Sequence, residues 1–409
     1  MKRVCRAHIR IVSIALVVVI IGALTGCGSN IEKITLSLWA TEAKMSLVDR
    51  AMKDFQKIHA DEVEIEWQVS KEAEDTCKET VLSNPEGAAD IYAFADDQLD
   101  ELKDAGALLK LDVNPEEALK PFGGSDSTAY ESVVRDGAMY AYPESANGYF
   151  LYYHKKYFDK KDIRSLERII QIAGNDNKKV TMDFSSGWYL YSFFQGAGMT
   201  LKLDDTGSKN ICDWNRKDGT PTGKELAKAL LGITTSRGFK SMTDDACVEG
   251  VKNGSIIAGI NGAWNADTVS ACWGLDYGAA KLPTFMVGKK KVQMASFAGY
   301  KVVGINAYTK YPEWCRKFVE YFTSKEKQFI EFQETGEVPA NQEVADMEEV
   351  QKAPAVKALT EQEQYASLQR VGGNYWNAAS KFGVTIASGN PDKKDLQELL
   401  NKMVKGITK

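Results

Sequence analysis

The chain has 409 residues, 51 basic against 56 acidic, and a formal net charge of −5 at pH 7. That balance excludes a nucleic-acid binder, whose affinity needs clustered Lys and Arg to displace counterions. The length suggests two or three domains at about 100–200 residues each.

The first ten residues, MKRVCRAHIR, carry Lys2, Arg3, Arg6 and Arg10 and no acid. An uncharged run, IVSIALVVVIIGAL, follows over 11–24. It is short for a membrane-spanning helix of about 20 residues. A basic head, a short apolar body and small residues at the end describe a secretory leader. Leu24-Thr25-Gly26-Cys27 resembles the lipobox of bacterial lipoproteins. The resemblance implies a leader over 1–26, lipid on Cys27 and a tether over 27–32. The rest of the chain is then expected on the outer face of the cell membrane, held by that lipid.

Past the tether, ITLSLWA (34–40) alternates like a strand, and 46–59 has its apolar residues near helical spacing. VEIEWQV (63–69) reads as a strand, 74–83 as a helix, ADIYA (89–93) as a strand and 99–105 as a helix. This alternation argues for an α/β domain. Strands at 139–142 and 149–154 flank a bend at 143–148, a candidate crossover between domains. Helices are expected over 166–172, 187–195 and 223–235, and strands over 180–184, 255–260, 277–282 and 302–305. Lys289-Lys290-Lys291 reads as a solvated hairpin turn. Helices over 314–323, 325–335, 344–352, 364–379 and 393–404 complete the chain, the third stopping before Pro354.

Seven cysteines have irregular spacing and form no C-x-x-C pair, so a zinc site is not expected. Cys77, Cys212, Cys247, Cys272 and Cys315 are an odd set outside leader and lipobox. One or two disulfides among them would leave a thiol free. Only His59 and His154 lie beyond the leader, which leaves little for a metal centre or a Ser-His-Asp triad. Asp96-Asp97, Asp204-Asp205 and Asp244-Asp245 are adjacent in sequence. Glycoside hydrolysis needs carboxyl groups facing each other across a bond at about 5–9.5 Å, and adjacency is no sign of that. The expectation is a protein that is not an enzyme, with no cofactor and no metal.

The landmarks ADIYAFADDQLDELKDAGALLKLD (89–112), MYAYPESANGYFLYYHKKYF (139–158), NGSIIAGINGAW (253–264), YGAAKLPTF (277–285) and YKVVGINAYTKYPEWCRKFVEYFTSKE (300–326) stand in a telling order. Together they resemble the extracellular solute-binding proteins of bacterial ABC importers, in the carbohydrate branch typified by maltose-binding protein. The resemblance covers roughly 33–409. It implies an α/β, two-lobe periplasmic-binding-protein fold with a ligand cleft between the lobes and a hinge of crossing strands. The N-terminal lobe would take 33–142 and 298–340, and the C-terminal lobe 145–295 and 345–409. The chain would be a monomer that closes on an oligosaccharide, an α-glucan such as maltose or maltodextrin first, and hands it to permease subunits. A non-transporting glycan-capture protein, or a same-fold receptor for another oligosaccharide, iron or a polyamine, is the alternative. Ferric binding would draw on Tyr149, Tyr152 and Tyr153.

A pyranose has a C–H face that lies on an aromatic ring and a belt of hydroxyls that needs fixed donors and acceptors. By the resemblance, Phe94, Trp188, Trp264 and Trp376 stack on the ligand, and Trp39 packs at the cleft rim. Asp97 accepts hydroxyl bonds, with Asp96 as a substitute, and Lys44 stands near the cleft. Asn147 and Ser186 stand where the family has glutamates. Both departures point to a changed ligand length, linkage or monomer, with Glu144 able to compensate.

Overall fold

The computed structural model describes residues 31–409. The leader and Cys27 lie outside the described residues. Strand β1 (Glu32–Ala40) uses its apolar alternation to bury Ile34, Leu36 and Leu38. Helix α1 (Met45–Ile58) lays Leu47, Val48, Ala51, Met52 and Phe55 on the same core. Next come β2 (Val63–Lys71), α2 (Cys77–Ser83), β3 (Ile91–Ala95), α3 (Leu99–Asp104) and α4 (Thr128–Val133). The crossing segments β4 (Ala141–Asn147) and β5 (Tyr149–His154) are separated by Gly148 alone.

Helix α5 (Leu166–Asn175) and strand β6 (Lys179–Met182) open the second half, then α6 (Gly187–Gly196), α7 (Gly223–Thr234), β7 (Phe239–Ser241) and α8 (Asp244–Lys252). Helix α7 starts on a capping box in which Thr222 and Glu225 bond each other's backbone N–H. Strand β8 (Ile256–Gly262), helix α9 (Ala266–Trp273) and strand β9 (Tyr277–Ala280) follow. The lysine run sits, as expected, at a hairpin tip, where Val287 pairs with Lys290 across Gly288 at φ +60°. Then come β10 (Ser296–Ile305), α10 (Pro312–Phe322), α11 (Lys325–Thr335), β11 (Val338–Pro339), α12 (Pro354–Glu363), β12 (Ala366–Leu368), α13 (Asn374–Ala387) and α14 (Leu396–Ile407).

Two main sheets result. The first has the order β11-β4-β10-β3-β1-β2, with β12 also bonded to β10. The second has the order β7-β6-β8-β5-β9. Each sheet has its own apolar core. Strand β10 belongs to both lobes. Its Phe297 lies in the core of the second, while Val302, Val303 and Ile305 lie in the core of the first. Strands β4–β5 make the same passage. Where β4 meets β10 the register slips, pairing Lys301 with Ser145 but Val302 with Pro143. The unpaired residue is Glu144, and such a bulge re-aims its side chain.

Two expectations fail near the C-terminal end. Residues 364–379 are not one helix, but β12, a turn and the start of α13. Helix α12 lies just upstream with Pro354 in its first turn. The helix expected over 344–352 is two short ones, Gln342–Ala345 and Glu348–Gln351. The second ends before Pro354 as expected, and proline also suits the first helical position of α12, where its missing N–H costs nothing. Cys77, Cys212, Cys247, Cys272 and Cys315 are all free thiols, so the disulfides expected as an option do not form among the described residues. No helix of the described residues is long and apolar enough to cross a membrane.

Candidate functional site

The segment just past the C-terminal end of β8 supplies the most open tryptophan among the described residues. Trp264 is 41 % exposed, although it is large and apolar. Its ring lies over Gly262, where an added Cβ would sit 2.1 Å from ring carbon Cζ2. Its indole lies beside Asp244 at the start of α8 and favours the charge of that carboxyl. Asp244 accepts from the Tyr189 hydroxyl at 2.8 Å, and Asn265 donates to Asn261 at 3.1 Å nearby. Burial pushes the Asp244 carboxyl up to about 6, against the pull of Tyr189 and Trp264. One face of Trp264 thus rests on Gly262, and the exposed remainder of the ring is open to a flat apolar surface.

Trp188 and Trp376 meet at a shared neighbour. The Trp188 ring stacks on Phe297 with centroids 5.3 Å apart, and Trp376 lies 6.2 Å from the same ring. Trp188 Nε1 is buried with no protein partner. A buried unbonded donor costs roughly 1–3 kcal/mol, which a ligand acceptor would recover. Tyr189 links this pair in sequence to the Asp244–Trp264 unit.

Asp97 comes from the first lobe, just past β3. Its Oδ2 accepts from the Gln369 side chain, whose own N–H donates to Ala298 at 3.1 Å beside Phe297. Burial, helped by Asp96 next door, pushes Asp97 up to about 7. Asn147 is the last residue of β4. It lines a cavity of about 430 Å³ along the crossing strands with Thr128, Phe297, Tyr300 and Gln362. Its Oδ1 is buried without a partner. Ser186 is the residue that precedes α6, and it accepts the Leu190 N–H at 3.1 Å through its carbonyl.

Two expected ligand residues need correction. Phe94 is fully buried in the first core, against Tyr92 at 5.9 Å, and offers no face to a ligand. Lys44 is 2 % exposed. Its Nζ lies 2.7 Å from Glu144, 2.7 Å from Glu331 and 3.3 Å from Glu337. It holds the crossing strand β4 to α11 and to Glu337, the residue before β11, instead of reaching a ligand. Glu144, offered as a compensating cleft acid, is committed to Lys44 as well.

Lys301 joins the same cluster, 2.6 Å from Glu337 and 3.7 Å from Glu74. Burial opposes the Lys44 charge, but four carboxylates outweigh it and raise its pKa. Burial also opposes charge on Glu337, yet Lys44 and Lys301 hold it down at about 2. Glu331 goes the other way, to about 8, through burial and despite Lys44, with Glu144 and Glu337 adding to the rise. A carboxyl raised in the fold keeps a proton that the unfolded chain releases near about 4.3. Stability from this group is therefore whole below that range and falls as pH rises to about 8, by about 1.4 kcal/mol per pH unit for one proton. Glu331→Gln should flatten that decline in melts from pH 5.5 to 8.5. An unchanged slope would show that Glu331 is ionised throughout.

The ferric reading finds no support. Tyr149 and Tyr152 are buried, with hydroxyls bonded to Ser192 and to the Gly262 carbonyl, and Tyr153 is 7 % exposed. Among the described residues no group of His, Cys, Asp and Glu could hold a metal ion. Sequence reasoning passed over Asp244, Tyr189, Phe297, Gln369 and Arg370 as site residues. Asp244 had a signal, since it opens a helix right after the Thr243 cap.

A family model described as bacterial extracellular solute-binding protein matches residues 50–358. Among curated relatives, a maltodextrin-binding protein of Bacillus subtilis is 27 % identical, over 93 % of this chain and 90 % of its own. A galactooligosaccharide-binding protein of the same organism is 25 % identical, over 91 % of this chain and 89 % of its own. A solved structure described as being with acarbose is 27 % identical, has a TM-score of 0.81 and covers 91 % of this chain and 98 % of that one. A maltodextrin binding protein from L. casei, solved without ligand, shares the fold with a TM-score of 0.77 at 21 % identity, covering 92 % of this chain and 99 % of that one. These likenesses bear out the two-lobe fold.

Proposed function

The chain belongs to the family of bacterial extracellular solute-binding proteins, receptors rather than enzymes, and on that premise we propose that it binds an oligosaccharide for an ABC importer, with maltose or a maltodextrin as the ligand. The observation that carries this reading is Trp264, an exposed ring seated over Gly262 beside Asp244. A ring seated in this way freezes little on binding and buries a large area. Trp188 and Trp376 add stacking surface around Phe297, and Asp97 adds a hydroxyl acceptor from the opposite lobe. The names of the relatives support the ligand class. One of them is named for galactooligosaccharides, so that sugar belongs in any ligand panel.

In this reading the lobes close about β4–β5 and β10, because the ligand binds the closed arrangement better than the open one. Small-angle scattering tests it. Saturating maltotriose should reduce the radius of gyration. An unchanged radius with saturable binding would rule out closure.

The lipid anchor on Cys27 is part of the same proposal. A receptor tethered beside its permease delivers ligand at high local concentration. Cys27→Ala should release the protein into the medium or leave it unprocessed. Palmitate labelling of that variant would overturn the anchor.

A further inference from the structure

Two adjacent carboxylates follow β3, and two adjacent donors that follow β12 meet them. Asp96 is 2 % exposed. Its Oδ1 accepts the Tyr300 N–H at 2.7 Å, and its Oδ2 lies 2.9 Å from Arg370 Nη2. Asp97 Oδ2 accepts from Gln369 Nε2. The donor pair is held in place by its backbone. Arg370 Nη1 donates to the Gln369 carbonyl at 3.0 Å, and Gly372 N–H donates to Asn210 of the second lobe at 2.8 Å. The acid pair belongs to the first lobe and the donor pair leads into α13 of the second.

Neighbouring buried carboxylates resist ionising together. Arg370 partly offsets the charge of Asp96, which lessens that penalty on Asp97. Gln369 occupies one oxygen of Asp97 and leaves Oδ1 uncommitted among the described residues. We propose that Gln369 and Arg370 are positioning residues of the ligand cleft: Arg370 neutralises Asp96 and Gln369 orients Asp97, so that one ionised carboxylate oxygen is presented to a ligand hydroxyl. This rests on the oligosaccharide reading above.

The surrounding charges fit that role. Burial and Asp96 push Asp97 up to about 7, while Gln369, Arg370 and Lys78 pull it down. Lys78 also faces Glu101 at 2.9 Å and Glu79 at 3.7 Å. Burial raises Asp96, and Arg370, the Tyr300 N–H and Arg135 oppose it. Arg135 is itself shared with Asp100 at 2.6 Å. Binding that needs ionised Asp97 strengthens as pH rises through about 7. Loss of either donor moves that transition to higher pH.

The test is maltotriose affinity from pH 5.5 to 9 in the wild type, Gln369→Leu, Arg370→Met and Arg370→Lys. Gln369→Leu and Arg370→Met should weaken binding about tenfold at pH 7. Their transitions should move up by about one pH unit and most affinity should return at pH 9. Arg370→Lys should restore the wild-type profile. An equal loss at every pH, or no loss, would overturn the proposal. A ligand-free measurement separates it from the sugar assignment. The Asp97 carboxyl, identified in a carbon NMR titration by its absence in Asp97→Asn, should titrate higher in Gln369→Leu and Arg370→Met. An unmoved Asp97 midpoint would refute the positioning role, whereas failure of the wild type to bind any sugar would refute the oligosaccharide reading alone.

Discussion

Lys44→Met should cost the fold about 3–5 kcal/mol, the range for breaking a buried ion pair by removing one partner, and leave ligand affinity nearly unchanged. Four carboxylates face Lys44 and Lys301 in this cluster, and Lys44 is the charge closest to Glu144 and Glu331. Without it these acids must take up protons or share Lys301 alone. Protonation is easy in acid and hard in base, so the loss should be larger at pH 8 than at pH 5.5. Denaturant melts at the two pH values measure it. A variant that stays stable but loses its ligand would return Lys44 to the cleft.

Trp264→Ala should weaken oligosaccharide binding by about 2–4 kcal/mol, roughly 30- to 1000-fold, as expected of an aromatic hot spot. Stability should barely change, because the ring is 41 % exposed and fills no core. Trp264→Phe keeps a stacking face but loses the indole N–H beside Asp244, and its affinity should fall between the two. Calorimetry reads both variants. Unchanged affinity in a folded Trp264→Ala would remove the ring from the site.

Much of this was legible in the sequence for local reasons. Strand β1 alternates because one face packs and the other does not. Trp264 follows a strand end and a glycine, and that position gives an aromatic a way out of the core. Phe94 was misread because β3 lies inside its sheet, between β1 and β10. Its sequence, IYAFA, is apolar throughout, so no polar alternation tells core from cleft, although Tyr92 and Phe94 share its buried face. Lys44 was misread because its partners lie far away in sequence, at Glu144, Glu331 and Glu337, and no local pattern announces their convergence. Gln369 and Arg370 were hidden inside a helix expected over 364–379. Reading Pro354 as a helix start would have placed α12 and freed the segment that carries them.

The proposed ligand is an α-glucan held between two lobes. Calorimetric titration of residues 28–409 tests this most directly, against maltose, maltotriose, longer maltodextrins, a galactooligosaccharide, cellobiose, xylobiose and spermidine. Saturable micromolar binding of maltose or a maltodextrin, roughly −8 kcal/mol, is the predicted result. Silence toward every α-glucan, with binding of another member of the panel in its place, would contradict it.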